Sequence, residues 1–228
     1  MTEARPGSEE AAAAEVVAGV AAMRVGYDRA ALTEDVLAPT WFAQFSEWFA
    51  EAVAAPEIVE PNAMVLATAA ANGTPSARTV LLKDADERGL TFFTHYTSRK
   101  GRDLTENPRA TLLFGWHPIQ RQVNLAGMVR RVDPAESDAY WRSRPHGSQL
   151  GSAASPQSQV VPDRAFLDDA GARLAAAYPE DVPRPATWGG FRLVPHTVEF
   201  WQGRPDRLHD RLRFRRDGET WVVERLAP

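Results

Sequence analysis

Residues 63–95 read AMVLATAAANGTPSARTVLLKDADERGLTFFTH. Three short apolar or alternating runs, Ala63 to Ala71, Ser76 to Lys83 and Leu90 to His95, are separated by Asn72-Gly73 and by a charged turn. Asn-Gly supplies the positive φ angles that a tight hairpin needs, and period-two alternation suits strands with one buried face. The stretch therefore predicts an antiparallel meander, the start of a barrel.

The pattern continues downstream. A short helix is expected from Ser98 to Glu106, stopped by Asn107-Pro108, followed by strands at Ala110 to Trp116 and Gln122 to Val132. Asp133-Pro134 opens a helix through Tyr140 and Trp141, Gly147 to Gln159 reads as a polar loop, and Asp163 to Tyr178 as an Ala-rich helix. Gly190 to Val194, Thr197 to Gln202, Arg207 to Arg215 and Thr220 to Arg225 read as closing antiparallel strands. Upstream, Trp41, Phe42, Phe45, Trp48 and Phe49 form the apolar stripe of a helix ending before Pro56. Residues 1–39 form an arm with a flexible start, and 40–228 one domain that is mainly β with peripheral α.

Composition narrows the chemistry. The 228 residues are 44% hydrophobic and include no cysteine, which excludes disulfides, thiolate metal sites and cysteine nucleophiles. A net charge of −4 argues against a general nucleic-acid binder. The apolar run Val16 to Met23 is too short to span a bilayer, and Glu9, Glu10 and Glu15 occupy the place where a signal peptide carries positive charge, so a cytoplasmic protein is expected. The five histidines lack metal-ligand spacing, and no GxGxxG, GxxxxGK, HExxH or GxSxG occurs. No metal site is expected, and any bound phosphate must be gripped by side chains.

Four fragments offer such a grip. Arg99 and Lys100 fall in a helix's first turn, where the macrodipole disfavours cations unless an anion joins them. As a strand, Arg207-Leu208-His209-Asp210-Arg211 would point Arg207, His209 and Arg211 to one face. Arg78-Thr79-Val80-Leu81-Leu82-Lys83 is an apolar strand with cationic ends. Tyr140 and Arg144 share a helical face ahead of Ser148. Each fragment alone is also compatible with an ordinary solvated surface.

Together they resemble the pyridoxamine/pyridoxine 5'-phosphate oxidase family, whose signature is closely matched by EFWQGRPDRLHDR at 199–211. The resemblance runs from about Asn62 to Pro228 and includes RTVLLK at 78–83, FFT and SRK within 92–100, Arg121-Gln122, SRPHGSQLG at 143–151 and Gln157-Ser158. It implies an FMN-binding split β-barrel, an antiparallel Greek-key-like barrel with flanking helices, working as a homodimer with flavin mononucleotide (FMN) between subunits. It also implies oxidation of pyridoxamine or pyridoxine 5'-phosphate to pyridoxal 5'-phosphate by hydride transfer to flavin N5, with dioxygen reduced to hydrogen peroxide.

By position, the flavin contacts implied are Arg78, Thr79, Val80, Leu81, Leu82, Lys83, Phe93, Thr94, Arg99, Lys100, Gln122, Gln157, Ser158, Trp201 and Arg211. The substrate contacts implied are Lys83, Tyr140, Arg144, Ser148, Arg207 and His209. Of these, Arg207 and His209 act at the pyridine ring and His209 is a candidate proton acceptor; Arg24 and Tyr27 of the arm match a segment that covers substrate. Two other readings stay open: a carrier that binds the same phosphates without turnover, and a flavin reductase that takes hydride from a nicotinamide.

Overall fold

A computed structural model describes Val20 and residues 26–228; Arg24 and most of the N-terminal arm lie outside the described residues. The aromatic stripe forms helix α1 (Trp41–Ala54), capped by the Thr40 hydroxyl, which accepts from the Ala43 N–H at 3.1 Å. The meander follows as β1 (Ala63–Ala69), β2 (Pro75–Leu81), a three-residue β3 (Asp84–Asp86) inside the expected charged turn, and β4 (Gly89–His95). Gly73 turns the first hairpin at φ 85°. Next come α2 (Arg99–Glu106), β5 (Arg109–Trp116), β6 (Arg121–Arg131) and α3 (Pro134–Ser143). Helices α4 (His146–Ala154) and α5 (Arg164–Ala177) precede β7 (Trp188–Gln202), β8 (Asp210–Asp217) and β9 (Thr220–Arg225).

All strand pairs are antiparallel, in the order β2-β1-β5-β6-β7-β4-β3, with β8 and β9 continuing from β7. β7 serves both branches. Its first half pairs with β4 and its second half with β8. The sheet curls until the Lys83 N–H, just past β2, donates to the Thr91 carbonyl of β4 at 2.9 Å. Inside the curl lie Leu66, Leu112, Phe114, Leu125, Leu193 and Phe200, each fully buried, and α1 plugs one end with Trp41, Phe45 and Trp48. Each such side chain contributes about 2 kcal/mol or more by leaving water.

Three expectations are corrected. The loop expected over Gly147 to Gln159 contains α4, because Gln149 turns inward and donates to the carbonyls of Trp141 and Arg144 at 2.8 and 3.2 Å. The two strands expected around Pro195 are one strand: β6 and β7 shift register at Ala126/Gly127, so the proline, lacking an N–H, sits at the irregularity. Finally, β8 begins only at Asp210. Pro205 to Arg207 form a 3-10 turn in which Asp206 and Arg207 have φ of 54° and 63°. The alternation that would align Arg207, His209 and Arg211 on one strand therefore does not apply.

Candidate functional site

A cavity of about 420 Å³ opens between β2, β4 and the helices beside them. Thr79, Val80, Leu81 and Lys83 form one wall, and Phe93, Thr94 and His95 of β4 another. Lys100 enters from α2, Tyr140 and Arg144 from the end of α3, Gly151 and Ser152 from α4, and Ser155, Gln157 and Trp188 complete the lining. No carboxylate faces this space.

The positive charges there are held by neutral groups. Lys100 is 9% exposed and its Nζ donates to Thr94 Oγ1 at 3.2 Å; burial first, then the Arg78 guanidinium, hold its pKa below the usual lysine range. Arg144 lies over the Trp141 and Trp188 rings at 5.1 and 4.9 Å, and its Nη2 donates to Ser152 Oγ at 2.9 Å. Its Nη1 is buried without a hydrogen-bond partner. A buried donor left in this state costs about 1–3 kcal/mol, a deficit that an anionic oxygen removes. The site fits a phosphorylated ligand. Phe93, Tyr140 and Trp188 add a wall of nearly parallel rings, with Phe93 centred 4.0 Å from Tyr140 and 5.5 Å from Trp188.

Not every cation expected here arrives. Arg78 spends its guanidinium on Leu66 O, Thr68 Oγ1 and Ser76 Oγ, and lies 3.8 Å from Asp103, a buried cluster beside the cavity. Leu82 points into the core, while Arg99, Ser148 and Ser158 are exposed outside the lining. Ser152, one turn beyond Ser148, takes the place on α4 that faces the cavity. The lining residues missed from sequence are His95, Gly151, Ser152, Ser155 and Trp188; none carried a local signal, since 147–159 reads as a loop.

A second cavity of about 280 Å³ gathers Gln122, Trp201, His209 and Arg211 with Leu113, Asn124, Glu199 and Pro228. Arg211 forms a fork-to-fork pair with Glu199 at 2.7 and 3.1 Å, which raises the guanidinium's pKa further. His209 packs 4.7 Å from Trp201, and its Nδ1 accepts the Arg204 N–H at 3.1 Å. The neutral ring consequently carries its proton on Nε2. Tyr27 stands edge-on to both rings, at 5.8 and 5.6 Å. Arg207 is exposed on the neighbouring turn.

The two cavities share no residue. Trp188 and Trp201 mark them at opposite ends of β7, thirteen steps or roughly 40 Å apart along the strand.

An antiparallel split barrel with an anion-suited cavity in its wall is thus the class that fold and geometry define. The chain belongs to the pyridoxamine 5'-phosphate oxidase family: residues 50–178 match the family of that description, and residues 188–228 match the pyridoxine 5'-phosphate oxidase C-terminal dimerisation region. A pyridoxine/pyridoxamine 5'-phosphate oxidase of Saccharopolyspora erythraea is 55% identical over 208 residues, covering 90% of this chain and 94% of the relative. Another from Salinispora arenicola is 58% identical over 200 residues, covering 86% and 90%. Among solved structures, PhzG from Burkholderia lata in complex with tetrahydrophenazine-1-carboxylic acid superposes with a TM-score of 0.84 at 36% identity, covering 90% of this chain and all of that one. An FMN-binding protein from Nostoc punctiforme, at 20% identity and a TM-score of 0.67, shares the fold.

Proposed function

We propose that this chain is an FMN-dependent oxidase that converts pyridoxamine 5'-phosphate and pyridoxine 5'-phosphate to pyridoxal 5'-phosphate. The observation that carries the reading is the acid-free cavity in which Lys83, Lys100 and Arg144 converge, with one arginine donor unsatisfied. Relatives more than 50% identical over about nine tenths of the chain support the same reaction. The chemistry supplied by bound FMN is acceptance at N5 of the hydride lost by substrate C4', dioxygen then taking the electrons to give hydrogen peroxide.

The residues bind, orient and exclude water. Lys100 holds the flavin phosphate, and the 79–83 strand with Phe93, Thr94 and Gln157 lies along the cofactor. Lys83, Tyr140 and Arg144 hold the substrate phosphate. Arg207 and His209 act on the pyridine ring. Because His209 Nδ1 is engaged by the Arg204 N–H, its Nε2–H serves as a donor to the ring substituents. Proton acceptance by His209 would require breaking that bond first. Tyr27, packed on Trp201 and His209, places the arm where it can cover this ring.

Gln122, Trp201, Arg207, His209 and Arg211 belong to the far end of β7 and reach the ligand from a second copy. A homodimer with FMN at the interface reconciles the two separated half-sites. The outer face of the sheet suits such pairing: across β1, β5, β6 and β7 the register lines up Ala67, Thr111, Ala126 and Thr197, a strip of small side chains. The match of residues 188–228 to a dimerisation region agrees. Among the described residues no helix is long and apolar enough to cross a membrane, and a cytoplasmic location goes with the proposed activity.

Anaerobic mixing of the FMN-loaded protein with pyridoxamine 5'-phosphate tests the proposal. Bleaching of the flavin absorbance, reversed by air with formation of peroxide, is expected. A ligand-saturated protein that stays yellow would instead be a carrier.

A further inference from the structure

His95 has no part in the reading above, yet it lines the first cavity. Its Nε2 lies 2.6 Å from the Ser152 carbonyl oxygen, an atom that can only accept, so Nε2 carries a hydrogen and Nδ1 is the nitrogen that gains or loses a proton. The residue is clamped on every side. Its N–H donates to Gln157 Oε1 at 3.2 Å, and its carbonyl accepts from Ser98 Oγ at 2.7 Å. β4, α2 and α4 together fix the ring's place.

The groups facing this cavity are Lys100 from α2, Arg144 and Tyr140 from α3, and Lys83 after β2, with no carboxylate among them. Burial first, then Lys100 and Arg144, hold the imidazole below its ordinary pKa, against an opposing pull from the Ser152 carbonyl. Without a ligand the ring is therefore neutral at pH 7. A phosphomonoester dianion offsets most of that positive field and favours the charged imidazole.

We propose that His95 is a proton-linked member of the phosphate-binding wall: a phosphomonoester dianion enters this cavity together with a proton taken up at His95 Nδ1. The inference rests on the reading that the cavity receives phosphate. His95 shares the cavity with Lys100 and Arg144 and feels both charges, so the dianion is that of FMN or that of the vitamer, and the chemistry is the same. Because binding raises the imidazole pKa, the extra affinity is fully present below the ligand-free pKa and is lost as pH rises through the ligand-bound pKa.

The test compares dissociation constants between about pH 7 and 8.5, where phosphomonoesters are already mostly dianionic. The full-length protein stripped of flavin is titrated with FMN and with riboflavin. The FMN-loaded protein is titrated with pyridoxal 5'-phosphate and with pyridoxal. Wild-type affinity for at least one phosphorylated ligand should weaken about fivefold across this range, each unit of pKa shift being worth tenfold at most. The unphosphorylated partner should change little, and His95→Gln, which keeps an N–H donor near Ser152, should flatten the profile; the ligand that shows the effect identifies the phosphate involved. An equal slope in His95→Gln would assign the titration to Lys100 and overturn the proposal. So would an equal slope for riboflavin and pyridoxal. Failure of wild type to bind FMN at any pH would remove the site reading itself. Should His95→Gln not fold, 15N NMR of the wild type at pH 7 decides: one histidine must pass from the Nε2–H tautomer to imidazolium on ligand binding, and no change in any histidine overturns the link.

Discussion

Arg144 is the side chain whose removal should speak most directly about substrate. Its charge is spread over a planar fork lying on two tryptophans, and one of its buried nitrogens has no partner. Lysine keeps the charge but cannot lie flat or offer paired donors. Arg144→Lys should raise KM for pyridoxamine 5'-phosphate about tenfold, some 1.4 kcal/mol, while kcat changes little; steady-state kinetics check this, and an unchanged KM would remove Arg144 from the substrate. Asp103 answers a different question. It is 6% exposed and neutralises Arg78, so Asp103→Ala leaves a half-buried guanidinium uncompensated and should cost about 3 kcal/mol in denaturant unfolding. At this scale the sequence was readable where a residue type was odd for its place: Lys100 at a helix start, Arg144 one turn from Tyr140. His95 and Trp188 sit in unremarkable strand ends, and only the fold brings them to the cavity.

Among the elements, β7 and the segment before α1 carry most of the consequences. Gly127 stands opposite Pro195 where β6 and β7 shift register, and a Cβ there would meet the Val194 carbonyl oxygen at 2.1 Å. Gly127→Ala therefore forces backbone movement and should destabilise the protein by about 2 kcal/mol, read from its denaturation midpoint. Residues 27–34 are strapped to the β8–β9 end: the Leu32 N–H donates to Asp210 Oδ2 at 3.1 Å, and Arg225 pairs with both Asp210 and Glu34 at 2.8 Å. The Arg225 hydrogen bonds pull the Glu34 pKa down to about 2. A depressed carboxylate contributes above its ordinary pKa and stops contributing as pH falls through the depressed one. The strap should accordingly loosen between about pH 4.5 and 2, moving Tyr27 off Trp201; tryptophan fluorescence in wild type against Glu34→Gln tests it, and identical acid profiles would count against the strap. The helices α1, α2, α3 and α5 and the 63–95 meander were legible because caps and apolar spacing are local. α4 was not, since its stability comes from a glutamine turned onto the preceding helix, and the turn at Arg207 was not, since consecutive left-handed residues there leave no mark in side-chain alternation.

At the scale of the whole molecule, the fold was legible as a curled antiparallel barrel, whereas the division of the expected site residues between two cavities was not, because distance between ends of a strand is invisible in a list of contacting residues. The strip Ala67, Thr111, Ala126 and Thr197 is the place to probe association. Ala126→Glu puts a charge in the middle of the small-residue face, and sedimentation should show a monomer that no longer retains FMN; a dimer of wild-type stability would move the interface elsewhere. The length of β7 then has a genetic corollary. If each polypeptide lends its Trp188 end to one ligand and its Trp201 end to the other, two crippled alleles, Arg144→Met and Arg211→Met, are not equivalent lesions. Co-expressed, they assemble some hybrids in which both defects fall on the same pocket, leaving the opposite pocket wholly wild type, and catalysis absent from either strain alone should reappear in the mixture.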